Sequence, residues 1–581
     1  MRRLTLPVLL VALLAATCNT PSPQTTPAAS QTPVAFALKD RGVLCSEGYT
    51  DMDWYLQQSK APLFEGLDVI DYPVTTGSAE AQQYFNQGLA WAWGFNHAEA
   101  ARSFYEAMRL DPECAMCHWG FAYVLGPNYN AGMEPDNFER AYNAIQKATE
   151  LGADATAKER ALIEAMATRY AWPAPEDRSA LDIAYSEAMK KVYDQYPDDP
   201  EVAALYAESL MDLHPWDLYT HEGDPKPWTP GILEALDRVF HLQPDHPGAH
   251  HLYIHAVEAS RAPERGYVSA QKFDDGLVPG SGHLNHMPSH IYIRTGDYHK
   301  GLQANIRAVA VDSSYLSQCH AQGAYPLGYY PHNMHFIAAC GMYAGNNHWA
   351  AIGANAVSDH AHRDLMRDPA WSTLQHYYII PYYIAVKFAR WDEILNMQNF
   401  DTEMPYPEAI RHFARGMAFL GQNNPATARE ELAQLQTIAG DTTLQEMRIW
   451  GINDVFTLLQ IASRVLEAEL LAREGNFDRS IALLSEAVVL EDGLQYQEPT
   501  DWILSVRHHL GAVLLAAGRD KDAIAVYKQD LLKIPNNGWA LKGLHNAYVA
   551  LGLEDQASTT SARFDAAWVE ADTEIDGSRI W

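Results

Sequence analysis

The sequence predicts an all-α protein built from helix hairpins stacked into a solenoid. Small, aromatic and proline residues recur at matched offsets. Near one end these are Gly88, Trp91, Ala100, Phe104, Ala107 and Pro112; near the other they are Leu510-Gly511, Ala523, Tyr527 and Pro535. Turn glycines repeat, with Gly518 and Gly552 standing 552 − 518 = 34 residues apart. Strand-like alternation of apolar and polar residues is scarce. Small residues let the two helices of a hairpin approach closely while the aromatic fills the space beside them. Proline then stops the second helix, because it lacks an N–H and clashes with the preceding turn.

At the N-terminus, Arg2 and Arg3 precede an apolar run from Leu4 to Ala16, followed by Cys18. This reads as a bacterial-type secretory signal, too short for a spanning helix. The run Leu14-Ala15-Ala16-Thr17-Cys18 resembles the lipobox of bacterial lipoproteins, whose cysteine is lipidated and becomes the mature N-terminus. Thr17 departs from the usual Gly, Ala or Ser, and ordinary signal-peptidase cleavage is the alternative. Residues 1–18 are thus expected to be a signal peptide and 19–45 a disordered tether, in which Thr20 to Pro33 is rich in Pro, Thr, Ser and Gln. The mature chain is expected in the periplasm, on the outer membrane or at the cell surface, with membrane contact only through the lipid.

From Ala79 onward, turns of one kind follow each other: Thr295-Gly296-Asp297-Tyr298, Ala344-Gly345-Asn346, Ala389-Arg390-Trp391, Leu420-Gly421-Gln422, Glu474-Gly475-Asn476-Phe477, Ala517-Gly518-Arg519 and Leu551-Gly552. Together with the 34-residue spacing they resemble the tetratricopeptide (TPR) repeat, which implies about nine to eleven hairpins in a right-handed superhelix whose concave groove binds peptides or proteins. Residues 46–400 are expected to carry the functional face, and 401–581 to extend and cap the solenoid. Two stretches break the period, Leu125 to Asn130 and the Pro- and Trp-rich segment from His214 to Pro230. Such insertions often map to the binding face, although packing aromatics are as common there.

The runs FNHAEAARSF, DPECAMCHWG, LHPWDLY, HPGAHHLYIHAVEAS and GSGHLNHMPSHIYIRTGDY resemble a family of exported, largely uncharacterised bacterial TPR proteins of similar length. The resemblance covers most of the mature chain and implies export and the repeat fold. It carries over no activity.

The chemistry concentrates between His250 and His290. His251, His255 and Glu258 fall at i, i+4, i+7, and His283, His286 and His290 at i, i+3, i+7, so each set shares a helix face. The two sets also share a register, since 286 − 251 = 35 and 290 − 255 = 35. Measured from the turn residues, His283 and His286 lie 13 and 10 before Gly296, His332 and His335 lie 13 and 10 before Gly345, and His376 lies 13 before Ala389. In TPR solenoids these rows face the concave groove, so the resemblance implies that the imidazoles converge there. Glu208 and Asp212 of an earlier hairpin face the same space on this reading. Pro288 leaves open whether His283 and His286 belong to a kinked helix or to a loop before it.

Imidazole is the commonest metal-ligand side chain, and nitrogen ligation with one or two carboxylates and no thiolate suits zinc, copper, iron or nickel over magnesium and calcium. The expected site comprises His251, His255, Glu258, His283, His286, His290, His332 and His335, more ligands than one tetrahedral ion takes. A dinuclear centre follows, copper or zinc before iron, with redox or hydrolytic chemistry as the reaction types. Glu258 or Glu208 would act as ligand or general base, and Asn285 and Asn333 would orient ligands. Two other readings stand beside it: a polar groove binding an organic or peptide partner without metal, and histidines that only make structural hydrogen bonds. Tyr329, Tyr330, Tyr377, Tyr378, Tyr382 and Tyr383 either floor a groove or pack between helices.

Other chemistry is bounded by composition and motif. With 581 residues, 42 basic against 73 acidic and a net charge of −31, the chain is long enough for a solenoid. Its charge argues against nucleic acid or an anionic lipid surface as partner and favours cations. Cys18, Cys45, Cys114, Cys117, Cys319 and Cys340 are too few for a disulfide framework. Cys114-Ala115-Met116-Cys117-His118 matches the haem c attachment pattern, but it lies on a repeat boundary where a local disulfide or buried thiols fit better. The sequence contains no HExxH, phosphate loop or nucleophile elbow.

Overall fold

The structure is a computed structural model describing residues 52–318, 325–368, 371–398 and 403–581. The signal-type run, the lipobox with Cys18, the tether, Cys45 and Cys319 lie outside the described residues. Among those described, no helix is long and apolar enough to cross a membrane.

The fold is all-α. In chain order the helices are α1 (Met52–Leu56), α2 (Ala79–Trp93), α3 (His97–Leu110), α4 (Ala115–Leu125), α5 (Asn137–Leu151), α6 (Ala157–Ala167), α7 (Ser179–Gln195), α8 (Pro200–Met211), α9 (Thr229–Leu242) and α10 (Pro247–Glu258). Next come α11 (Tyr267–Asp274), α12 (Gly282–His286), α13 (Pro288–Thr295), α14 (Tyr298–Gln318), α15 (Tyr330–Tyr343), α16 (Asn347–His360), α17 (Leu374–Lys387) and α18 (Trp391–Asn396). The last are α19 (Pro405–Gly421), α20 (Pro425–Ala439), α21 (Val455–Arg473), α22 (Phe477–Asp492), α23 (Val506–Ala516), α24 (Asp520–Lys533), α25 (Gly538–Ala550) and α26 (Glu554–Ala567). A two-residue antiparallel pair, Arg448–Ile449 with Asn453–Asp454, precedes α21.

Local chemistry explains the hairpins. Side chains of Ser78, Asn96, Thr156, Asp199, Asn346 and Asn537 accept from free N–H groups of the first helical turn. A Cβ at Gly88 or Gly120 would overlap the Phe104 ring, and one at Gly511 or Gly543 would overlap Tyr527. The small-against-aromatic rule therefore operates at both ends of the chain. The left-handed turn conformation is taken by Gly296 (φ 85°) and, at the matching place two hairpins later, by Ala389 (φ 55°).

Two apolar cores form. One runs from Ala61 to Tyr292 and adds Tyr315 and Tyr325; the other runs from Tyr298 to Ile575. Residue 400 therefore does not coincide with a break in packing, because 298–398 and 403–575 share one core. Nor do the C-terminal hairpins simply extend the stack. The Tyr298 hydroxyl donates to Pro535 O at 2.6 Å, Trp539 Nε1 to Met342 O at 3.0 Å, and Asp572 accepts from Asn347 N at 2.7 Å. They fold back on the middle of the chain, beside the seam where the histidines lie.

Candidate metal centre

Helix α10 is buried along its whole length, so each of its polar side chains needs a partner. It starts at Pro247, capped by His246, whose Nδ1 accepts from Ala249 N at 3.0 Å while Nε2 meets Glu201 at 3.0 Å. His250 is fully engaged, with Nδ1 2.9 Å from Ser269 Oγ and Nε2 2.8 Å from Pro244 O. It is a structural histidine. His251, His255 and Glu258 point elsewhere, toward α12 and α13.

Met287 keeps helical dihedrals (φ −52°, ψ −34°), and its N–H donates to His283 O at 3.1 Å. Pro288 therefore bends one helical run rather than ending it, and His283, His286 and His290 all project from helix. The imidazoles gather in two sets of three, His251, His255 and His283 in one and His286, His290 and His332 in the other, with ligand atoms within 4.8 Å of one another in each. Between His251 and His283 the Nε2 atoms are 3.1 Å apart, and between His286 and His290 2.8 Å. His332 closes the second set from α15, its ring centroid 4.9 Å from that of His286.

The grouping differs from the side-by-side rows that the 35-residue register suggests. Counted from the turn, the residues at −10 and −6 of one hairpin join the residue at −13 of the next. His251, one repeat before His286, and His255, one repeat before His290, take His283; His286 and His290 take His332. His283 and His286, three apart on one short helix, thus serve different sets.

Hydrogen bonds behind the rings fix which nitrogen faces inward. His251 Nδ1 donates to the carbonyl of Trp93 at 2.6 Å. His255 Nδ1 and His290 Nδ1 donate to the two oxygens of Glu258 at 2.7 and 2.6 Å. His286 Nδ1 faces Asn305 Oδ1 at 2.7 Å, and the Asn305 amide is held in that sense by donating to Gly301 O at 2.8 Å. With hydrogen on Nδ1, each neutral ring turns a bare Nε2 lone pair to the centre. His255 Nε2 is buried with no partner, as is His283 Nδ1. Two facing lone pairs, as at His286 and His290, repel unless a proton or a cation lies between them.

Electrostatics follow from burial. His251, His283, His286 and His332 are pushed well below the ordinary imidazole range by burial and by the neighbouring rings. Burial also lowers His255, against the pull of Glu258. Burial opposes a charge on His290 too, but Glu258 and Glu498 outweigh it and hold the ring up to about 9. Glu258 itself is held well below its usual range, burial being overcome by His290 and His255. The resulting picture is five neutral imidazoles and one imidazolium, His290, paired with Glu258; the hydrogen on its Nε2 points to the His286 lone pair, and an ion would have to displace it.

The site is enclosed rather than open to a groove. His251, His255, His283, His286 and His290 are 2% exposed or less. Phe95 stands 4.3 Å from the His251 ring and stacks against His255 and His283, and Phe336 covers His286 and His290. Both period-breaking stretches cover His255, through Tyr129 at 5.5 Å and Trp216 at 5.7 Å. The loop after α22 adds a further wall, where the Tyr496 hydroxyl donates to Glu258 at 3.2 Å and Glu498 lies 3.4 Å from His290 Nδ1.

Other expected residues fall differently. Glu258 stands behind the rings, on their Nδ1 side, although its carboxylate also groups with His255 and His290 as donors an ion could use. Glu208 accepts from the Tyr123 hydroxyl at 2.5 Å and is raised to about 7 by burial, and Asp212 pairs with Arg169 at 2.7 Å. Neither joins a set. His335 turns to His376, ring centroids 5.6 Å apart. Asn285 donates to Ser281 O and Asn333 to Asp312, so the orienting amide is Asn305, which no spacing marks. Tyr329 abuts His283 at 4.9 Å, while Tyr330, Tyr377 and Tyr383 are core residues. Cys114 and Cys117 are joined as a local disulfide.

No protein-family model matches the chain, and no curated protein matches it. Among solved structures, the human IFIT1 dimer with m7Gppp-AAAA is similar at 14% identity and a TM-score of 0.29, over 86% of this chain and 92% of that one. Yeast Tom70 gives 13% identity and a TM-score of 0.24 over 82% and 90%. The P58(IPK) TPR domain gives 12% identity and 0.18 over 84% and 93%.

Proposed function

We propose that this TPR-like chain is a dinuclear transition-metal protein. His251, His255 and His283 would hold one ion and His286, His290 and His332 the other, with Glu258 anchoring one histidine of each set. The observation that carries this reading is the fixing of four Nδ1 atoms on acceptors, which turns the Nε2 atoms of those rings into two three-membered groups. Structural hydrogen bonding alone accounts poorly for such an arrangement, because it leaves His255 Nε2 buried and unpaired at a cost of about 1–3 kcal/mol.

All-imidazole ligation favours copper or zinc over iron, and three protein ligands per ion leave a position open. A bound ion would there activate water or bind dioxygen, which supports redox or hydrolytic chemistry. Around it, this chain's own residues orient the rings and exclude water through Phe95, Phe336, Tyr129 and Trp216. Histidines lining a partner groove would have to be reachable, and the burial of five of the six weighs against the metal-free scaffold reading. The signal-type run and Cys18 extend the proposal to an exported protein held at a membrane by its lipid.

The test is elemental analysis of mature protein purified without chelator or histidine tag. Two equivalents of one transition metal are expected, falling by one each in His255→Ala and His290→Ala. Chelation should lower the melting temperature and re-addition restore it. Wild-type protein that holds no metal even after reconstitution would sink the proposal.

A further inference from the structure

Beyond α26, residues 571–581 have no regular secondary structure, yet they lie across the C-terminal repeats as a strap. Asp572 fixes one end by accepting from Asn347 N and His348 N at the start of α16, at 2.7 and 2.9 Å. Further on, Asn546 of α25 donates to Asp576 O at 2.6 Å, and Arg579 pairs with Glu469 of α21. Between these anchors Ser578, 1% exposed, donates to His508 O at 2.6 Å and meets the Tyr527 hydroxyl at 2.8 Å. Its carbonyl accepts from Lys387 of α17 at 3.4 Å.

Lys387 joins this strap to a buried relay. Its Nζ donates to His508 Nδ1 at 2.9 Å, and His508 Nε2 lies 3.1 Å from Asp530 Oδ2. Ser505 and Asn537 donate to Asp530 and fix it in place. The charges here balance: Lys387 and Arg579 stand against Asp530 and Glu469, with His508 neutral and His509 giving its Nδ1 hydrogen to Glu469 at 2.6 Å. Behind Asp530, Arg507 is paired with Glu491 and Asp492.

A further proton does not fit. With hydrogen on Nε2, the Nδ1 of His508 is the ring's one lone pair, and it accepts from the lysine. An imidazolium there would set N–H against N–H and place two cations side by side in a buried space. Burial lowers His508, with Lys387 adding to the effect and Asp530 opposing it, and lowers Lys387 to about 7. Release of the strap would lift that lowering, so the open state binds more protons than the docked one. Docking is therefore fullest above the ordinary imidazole value of about 6.5 and weakens as pH falls below it.

We infer that residues 572–581 form an acid-released strap, latched by the hydrogen-bonded line of Ser578, Lys387, His508 and Asp530. The latch is independent of the dinuclear reading, since none of its residues belongs to either histidine set.

The experiment is limited trypsin digestion of the full chain, read by mass spectrometry at the Arg579–Ile580 bond, which a docked strap withholds from the protease. Each rate is divided by that of a free peptide spanning 572–581 at the same pH. From about pH 7.5 to about pH 5 the ratio should rise about 10-fold, with the helical circular dichroism constant, one proton changing the open fraction by at most about 10-fold per pH unit. His508→Gln, which keeps an acceptor and a donor but does not titrate, should abolish the rise. Lys387→Met should abolish it too, because an imidazolium beside Asp530 then meets no opposing cation; this variant decides if the glutamine one does not fold. A ratio that ignores pH overturns the inference. So does a rise that persists in the folded variants, or one that comes only with loss of the helical signal.

Discussion

One carboxylate orients a histidine in each set, because Glu258 accepts from His255 at 2.7 Å and from His290 at 2.6 Å. In Glu258→Gln a single oxygen remains to accept, and the new amide N–H group confronts an Nδ1–H, so one ring must turn away. We expect metal affinity to fall by about 10–100-fold, the usual cost of losing such an orienting partner, with helix content unchanged. Competition against a chromophoric chelator measures it, and an unchanged affinity would remove Glu258 from this role. Spacing alone put His255 and Glu258 on one face of a helix. It was silent on the other anchors. A backbone carbonyl such as Trp93 O has no sequence signature, Asn305 stands alone on its helix, and Tyr496 and Glu498 lie more than 200 residues from Glu258 and His290, which they respectively meet.

At the scale of elements, the bend at Pro288 lets one helical run serve two neighbours. The turn that follows it is pinned from outside. Gly296 and Gly276 share a left-handed φ, 85° and 86°, but a Cβ at Gly296 would lie 2.5 Å from Pro535 O, while nothing comes within 4 Å at Gly276. Backbone strain costs both alanine variants about 1 kcal/mol. Gly296→Ala should therefore lower the melting temperature clearly more than Gly276→Ala, since it also disturbs the docking of the C-terminal repeats. Equal shifts would mean that the turn and Pro535 contribute nothing to each other. Turn glycines were readable from their period, whereas which of them would meet a distant hairpin was not.

For the whole molecule, the core argues that the histidine-bearing half does not stand without the rest. Residues 298–398 share one apolar core with 403–575, and the loop after α22 supplies Tyr496 and Glu498 behind the site. Truncation after residue 400 should give protein that aggregates or lacks cooperative unfolding, and it should bind no stoichiometric metal. Gel filtration and thermal circular dichroism check this; a soluble, metal-loaded 46–400 fragment would show that the C-terminal repeats are accessory.

By itself the sequence determined the all-α hairpin fold, the turn positions and the histidines as a group, because these rest on local rules: helix period, capping, turn glycines and the fit of a small residue against an aromatic. Tertiary structure alone decided how the histidines divide, what anchors each ring and what covers them. Those depend on the offset between neighbouring hairpins and on the return of the C-terminal repeats, and neither leaves a period in the chain.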